Sequence, residues 1–246
     1  MSMIHPLVIV TYLGFHAVFV VPPALGLAVP ALSAPTRNDL DVPVGGLAAI
    51  VALALLYTTP WDNYLIERGV WHYGEDVVAG TFWHAPLGEY LFIALQPLVT
   101  ALWLARVHDG GAPGPVATAR DRLGGALAGV AVGVVGAALL TADATYYLGA
   151  ILLWAAPILA LQWAVGWPYL WHYGRTVAVA VAVPTVYFWL ADRIALWQGL
   201  WVISDRYTVG VDVLGLPVEE ALFFLVTNLF IVQGLVLYEW VVERWR

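Results

Sequence analysis

Apolar residues run along this chain in seven long stretches, separated by polar or Pro/Gly-rich segments. The stretches are 6–29, 44–66, 86–107, 122–142, 146–166, 176–198 and 217–241. Each is close to the roughly 20 residues that carry a helix across a bilayer. Backbone in lipid has to satisfy its own hydrogen bonds, so runs of this length are predicted as helices. The predicted fold class is therefore all-α, a polytopic membrane protein with seven transmembrane helices. The first run begins at His5-Pro6 without a basic flank or a small-residue cleavage site, so it reads as a retained span rather than a signal peptide. Residues 30–43 read as a loop, 67–85 and 199–216 as longer loops, the first rich in aromatics, and 108–121 as a flexible linker.

The pattern repeats within the chain. Tyr12-Leu13-Gly14 is followed by Pro22, and Tyr147-Leu148-Gly149 by Pro157 at the same distance. Asp62 precedes Trp71, and Asp192 precedes Trp201, by nine positions each. Pro86-Leu87-Gly88-Glu89 opens the third run and Pro217-Val218-Glu219-Glu220 the seventh, with Phe92 and Phe223 three residues after the aligned glutamates. These matches occur in one order at offsets of 130 to 135 residues. They predict two three-helix repeats, in 1–107 and 144–246, joined by a linker and connecting helix in 108–143. Equivalent spans are four apart, an even number, so the repeats point the same way across the membrane. The connecting run carries Gly125, Gly129 and Gly133 at four-residue spacing, a face for close helix packing.

Composition narrows the chemistry. The chain of 246 residues is 62% hydrophobic and 11% charged, where a soluble domain carries about 25% charged residues. It has no cysteine and no lysine, so disulfides, thiolate chemistry and lysine-bound cofactors such as a retinal Schiff base are excluded. The formal net charge of -7 offers no footprint for nucleic acid. The histidines His5, His16, His72, His84, His108 and His172 form no pair at helical spacing, which disfavours a di-iron site. No glycine-rich dinucleotide fingerprint follows a strand, and Asp39 and Asp41 are too few for a magnesium–diphosphate motif. No metal, flavin or nicotinamide is expected. Seven arginines fall on the side of the C-terminus and three (Arg68, Arg193, Arg206) on the other, which predicts a cytoplasmic C-terminus and an external N-terminus in the cell membrane.

The repeated polar residues gather at one rim: Asp62 and Asp192 near the ends of the second and sixth spans, Glu89, Glu219 and Glu220 in the first turns of the third and seventh. A carboxylate in a first helical turn also complements the helix dipole, and an aspartate at a span's end also sits among headgroups. Pairing across a two-fold repeat instead brings the acids to one axis, and ionisable groups at membrane depth are usually functional. Aromatics crowd the same rim. An interfacial belt accounts for some of them, but Trp71 and Trp201 keep a fixed distance from an aspartate in both repeats. Acids and aromatic faces without a cofactor suit proton-driven chemistry on an apolar alkene, the aromatics stabilising a carbocation.

On the strings Pro217-Val218-Glu219-Glu220, Pro86-Leu87-Gly88-Glu89 and Pro60-Trp61-Asp62-Asn63-Tyr64, with Ala191-Asp192-Arg193 as an echo, the chain resembles the membrane-integral, flavin-free carotenoid cyclases. The tandem arrangement is similar to the fused archaeal type. The first motif departs from the family pattern, with Gly88 where the second has Glu219. The resemblance implies lycopene as a lipophilic substrate in the bilayer, β-ionone rings as product, no cofactor, and association with other enzymes of carotenoid biosynthesis. It implies Glu220 and Glu89 as an acid/base pair assisted by Glu219, with Asp62 and Asp192 orienting them or relaying protons. Trp61, Asn63, Trp71, Trp201, Phe92 and Phe223 are the implied substrate contacts. A carotenoid hydratase, in which water captures the same cation, and a non-catalytic carotenoid-binding subunit are the alternatives.

Overall fold

The computed structural model describes residues 11–33, 43–108 and 114–245. His5, Arg37, Asp39, Asp41 and the start of the first run lie outside the described residues. Among those described, seven helices are long and apolar enough to cross a membrane, and the chain is a multi-pass, all-α membrane protein.

Helix α1 is one rod, α-helical at Tyr12–Phe15, π-helical at His16–Val20 and α-helical again at Val21–Ser33. The π turn directly precedes Pro22 and Pro23, whose missing N–H groups disturb the regular ladder. Then follow α2 (Val44–Arg68), α3 (Leu87–Val107), α4 (Ala119–Leu139), α5 (Tyr146–His172), α6 (Gly174–Gln198) and α7 (Val218–Trp245). Two boundaries move from their predicted places for identifiable reasons. Helix α4 starts three residues earlier, because Thr118 and Asp121 form a capping box. Helix α5 runs six residues further, passing a kink at Gly166. The kink lies two residues before Pro168, whose ring crowds the preceding turn and ends the straight segment without ending the helix.

Helix α4 lies against α5 at backbone distance. A Cβ on Gly129 would sit 2.4 Å from the backbone of Ala160, and one on Gly125 2.4 Å from the Trp163 carbonyl oxygen. Lipid supplies no hydrophobic drive between helices, so this glycine face secures α4 by close van der Waals contact.

The segments 67–85 and 199–216, expected to be loops, contain short strands. Strand β1 (Trp71–Tyr73) pairs antiparallel with β4 (Trp201–Ile203), so that Trp71 faces Ile203 and Tyr73 faces Trp201. Strands β2 (Thr81–Phe82) and β3 (Ala85–Pro86) form one tight hairpin, and β5 (Asp212–Val213) and β6 (Leu216–Pro217) another. Strands of two or three residues are too short to give an alternating signal, and the β1–β4 partners lie 130 positions apart. The flanking bonds are reciprocal. The Gly74 N–H donates to the Leu200 carbonyl (3.1 Å), and the Ser204 N–H donates to the Val70 carbonyl (2.8 Å). Tyr12 N–H donates to Val77 O (2.8 Å), and Tyr147 N–H to Tyr207 O (3.0 Å). The first two bonds exchange places when each residue is shifted by 130 positions, the pattern of a self-complementary two-fold contact, and the last two are one bond repeated at shifts of 130 to 135.

Candidate active site

Four carboxyl groups are brought together by this framework. Helices α2 and α6 both end on a glycine in the left-handed conformation, Gly69 (φ 77°) and Gly199 (φ 71°), which turns the chain sharply into β1 and β4. Asp62 and Asp192 lie seven residues before those glycines, about two turns inside the helices. Each β-hairpin then returns the chain to a proline and the first turn of the next helix. The Leu87 N–H donates to Gly80 O and the Val218 N–H to Val211 O, both at 2.9 Å, which sets where α3 and α7 begin. Glu89 and Glu220 project from those first turns.

Asp62, Asp192, Glu89 and Glu220 line one cavity of about 510 Å3, its opening included. The other walls are Tyr12, Phe15, Trp61, Trp71, Tyr73, Phe92, Tyr147, Trp201, Ile203, Phe223 and Phe224. Asp62 is 4% exposed, Asp192 1% and Glu220 6%. None of these lining residues is basic. Asp62 Oδ2 and Asp192 Oδ2 are buried without a protein hydrogen-bond partner.

The aromatic rings interlock across the centre. Tyr12 O–H donates to Glu89 Oε2 (2.7 Å) and Tyr147 O–H to Glu220 Oε1 (2.7 Å). Tyr12 also packs against Trp201 (ring centroids 5.1 Å apart), and Tyr147 against Trp71 (5.6 Å). Each tyrosine thus holds the glutamate of its own half and touches the tryptophan of the other. Trp61 stacks on Phe223 (6.0 Å), giving the cavity a wall of parallel π faces, and is backed by Trp154 (4.9 Å).

The two halves of the cavity are not equal. Glu89 Oε2 accepts a second bond from Tyr73 O–H (2.8 Å), which itself accepts from Trp71 Nε1 (3.2 Å). Burial, then the neighbouring Glu89 and Asp62, push the Tyr73 phenol well above its ordinary range, so it stays protonated and able to donate. The position 130 residues later is Ile203, which has no hydroxyl. Trp201 Nε1 donates instead to Asp192 Oδ1 (2.8 Å). One side is a chain Trp71–Tyr73–Glu89, the other two separate pairs.

Of the residues singled out in the sequence, Trp61, Trp71, Trp201, Phe92 and Phe223 line the cavity with the four acids. Glu219 and Asn63 do not. Glu219 is fully buried behind the second hairpin, where Oε1 accepts from the Val209 N–H (2.7 Å). Asn63 Oδ1 accepts from the His84 and Ala85 N–H groups (2.8 and 2.9 Å) and its amide donates to Thr59 O (2.9 Å). It pins the first hairpin to α2, one residue from Asp62. Asn63→Ala strands two backbone N–H groups and is expected to cost about 1–3 kcal/mol of stability, read as a lower unfolding temperature in detergent. The aromatics Tyr64, Phe82, Trp83 and Trp197 are 48–70% exposed and lie outside the cavity lining, as the belt reading expects of part of the aromatic set. Tyr12, Tyr73, Tyr147, Phe15, Phe224 and Ile203 belong to the cavity although they were not read as site residues. The repeated Tyr-Leu-Gly was the signal for Tyr12 and Tyr147.

Comparison with known proteins follows the same lines. The chain is 53% identical over 237 residues to lycopene beta-cyclase of Halobacterium salinarum, in each of two strains, covering 96% of this chain and 99% of that protein. It is 34% identical over 244 residues to the bifunctional lycopene cyclase/phytoene synthase of Arthroderma gypseum, covering 91% of this chain and 40% of that protein. No family model matches the chain, and no solved structure matches it.

Proposed function

The chain belongs to the lycopene cyclase family, and from that premise we propose that it is a lycopene beta-cyclase, an isomerase acting within the membrane. The observation that carries this reading is the cavity itself: four carboxyls and no basic residue, enclosed by aromatic faces.

The proposed reaction gains one proton and loses one. A carboxylic acid protonates C2 of the terminal isopropylidene and leaves a tertiary cation at C1. The C5=C6 π electrons form the C1–C6 bond, and the charge moves to C5. Loss of the C6 proton to a carboxylate regenerates the C5=C6 double bond and completes a β-ionone ring. No electrons are exchanged and the mass is unchanged, so the chemistry calls for no flavin, nicotinamide or metal. Glu220 and Glu89 form the acid/base pair, with Asp62 and Asp192 beside them as proton relays. Four unneutralised carboxylates in such a site would be costly, and sharing protons among them relieves that cost. Trp61, Trp71, Trp201, Phe92 and Phe223 present rings to the cation. Asn63 and Glu219 act one step away, by holding the two hairpins.

The reciprocal bonds support a duplicated organisation, with 1–107 and 144–246 as repeats and 108–143 as connector. Arginine placement supports a cytoplasmic C-terminus in the cell membrane. A lipophilic product passed on in the bilayer suits association with other enzymes of carotenoid biosynthesis.

Expression in a lycopene-accumulating host is expected to give monocyclic and dicyclic carotenoids of unchanged mass, identified by chromatography. A product one water heavier would make the protein a hydratase. No turnover by the chain alone would make it a binding subunit.

A further inference from the structure

The carboxyl cavity adjoins a second, larger space. Asp62, Glu89, Phe92 and Phe223 line the cavity and also line this larger apolar groove between α2, α3, α5 and α7. The groove encloses about 1590 Å3, its mouth included. Its wall on α2 is Gly46, Ile50, Ala54, Thr58 and Asp62, one residue per turn down a single face. At 1.5 Å per residue that wall is roughly 24 Å long. Of the two glutamines on the walls, Gln96 Nε2 donates to Thr227 Oγ1 (3.0 Å) and Gln162 Nε2 donates to Phe230 O (2.9 Å), while Gln162 Oε1 is buried without a protein hydrogen-bond partner.

Two bonds strap α2 to α5 near the carboxyls: Tyr57 O–H to Trp154 O (2.8 Å) and Trp61 Nε1 to Ala150 O (3.3 Å). Beyond the strap, Leu53 on α2 and Leu161 on α5 are each 62% exposed, so the mouth faces lipid. The far end is narrow. The ring of Tyr238 lies against Gly46, 2.8 Å from where a Cβ would stand. Asp192 and Glu220 line the cavity but not the groove. The groove therefore meets the four acids from one side only, past Asp62 and Glu89.

Resting on the cyclase reading, we propose that this groove holds the linear polyene, admits it from lipid between α2 and α5, and presents one end at a time to the acids. The two rings are then made in two separate visits. On the second visit the ring already formed has to fit the groove away from the acids, so the Gly46–Tyr238 constriction sets whether the product carries one ring or two. Continuity with the acid cavity commits the groove to this occupant: an extended, uncharged hydrocarbon chain whose reactive end reaches Asp62 and Glu89.

The test uses the purified full chain in lipid bilayers with linear C40 substrate. Monocyclic product is expected to build up in the free pool before dicyclic product, and added labelled monocyclic carotenoid is expected to be converted in competition. Gly46→Leu is expected to raise the monocyclic-to-dicyclic ratio about tenfold. Ala54→Trp and Leu161→Trp narrow the groove from a half-buried position and from its exposed mouth. Both are expected to lower kcat/KM for the C40 chain at least tenfold relative to a short isoprenoid with the same acyclic end. Dicyclic product forming without free monocyclic intermediate, or groove variants that affect long and short substrates alike, would overturn the proposal. Wild-type protein that makes no ring from either substrate would instead overturn the cyclase reading.

Discussion

Glu220→Gln is expected to lower the rate of ring formation by about 10²–10⁴-fold, the usual cost of losing a positioned proton donor. The change is nearly silent structurally. Glu220 Oε1 accepts the Tyr147 O–H, and the carbonyl of a glutamine accepts it equally well. The side chain keeps its size in a site that is 6% exposed. What disappears is the exchangeable acid proton. A carbocation route has no nucleophilic bypass around protonation of the alkene. The competing account, in which Glu220 serves only the dipole of α7, forecasts at most about 1 kcal/mol of lost stability and turnover nearly intact. Initial rates on purified protein in lipid, beside a thermal unfolding curve, separate the two.

Glu89→Gln is expected to lower β-ring formation by at least about 10²-fold, and its product pattern tells acid from base. Both phenol bonds to Oε2, from Tyr12 and Tyr73, survive on an amide carbonyl. The fold is therefore preserved and only proton transfer changes. If Glu89 is the acid, its loss leaves the substrate linear. If it is the base, the C1–C6 bond still forms and the C5 cation loses a proton elsewhere. Loss from C4 in place of C6 gives an ε-ring, and capture by water gives a heavier alcohol. Chromatography and mass distinguish these outcomes. A variant that cyclises normally would remove Glu89 from the pair and leave Asp62 and Asp192 as candidates. The unequal hydrogen bonding around the two glutamates is the reason to expect unequal consequences from the two substitutions.

Much of this protein is written in local pattern. Seven apolar runs of bilayer length suffice for seven helices, because lipid leaves a spanning backbone few alternatives. The absence of lysine and cysteine removed whole chemistries without reference to shape. The acids that meet in the cavity stood out by their repeated spacing: Asp62 with Asp192, Glu89 with Glu220. Side-chain direction at a single position was not legible in the same way. Asn63 adjoins Asp62, and Glu219 adjoins Glu220, yet neighbours on a helix point about 100° apart. One of each pair faces the cavity and the other a hairpin backbone. Helix phase relative to the bundle axis, set by packing, made that choice. The strands were hidden because two-residue ladders carry no period and β1 finds β4 across 130 positions. The tyrosines were visible as a motif but not as part of the site, since Tyr12 is 77 residues from Glu89 and Tyr147 is 73 from Glu220. The groove shows the same division: its α2 face is an ordinary run of small and apolar residues. Only the way α2 and α5 both pack on α7, joined near the acids by the Tyr57 strap, turns that face into a space that leads to Asp62 and Glu89.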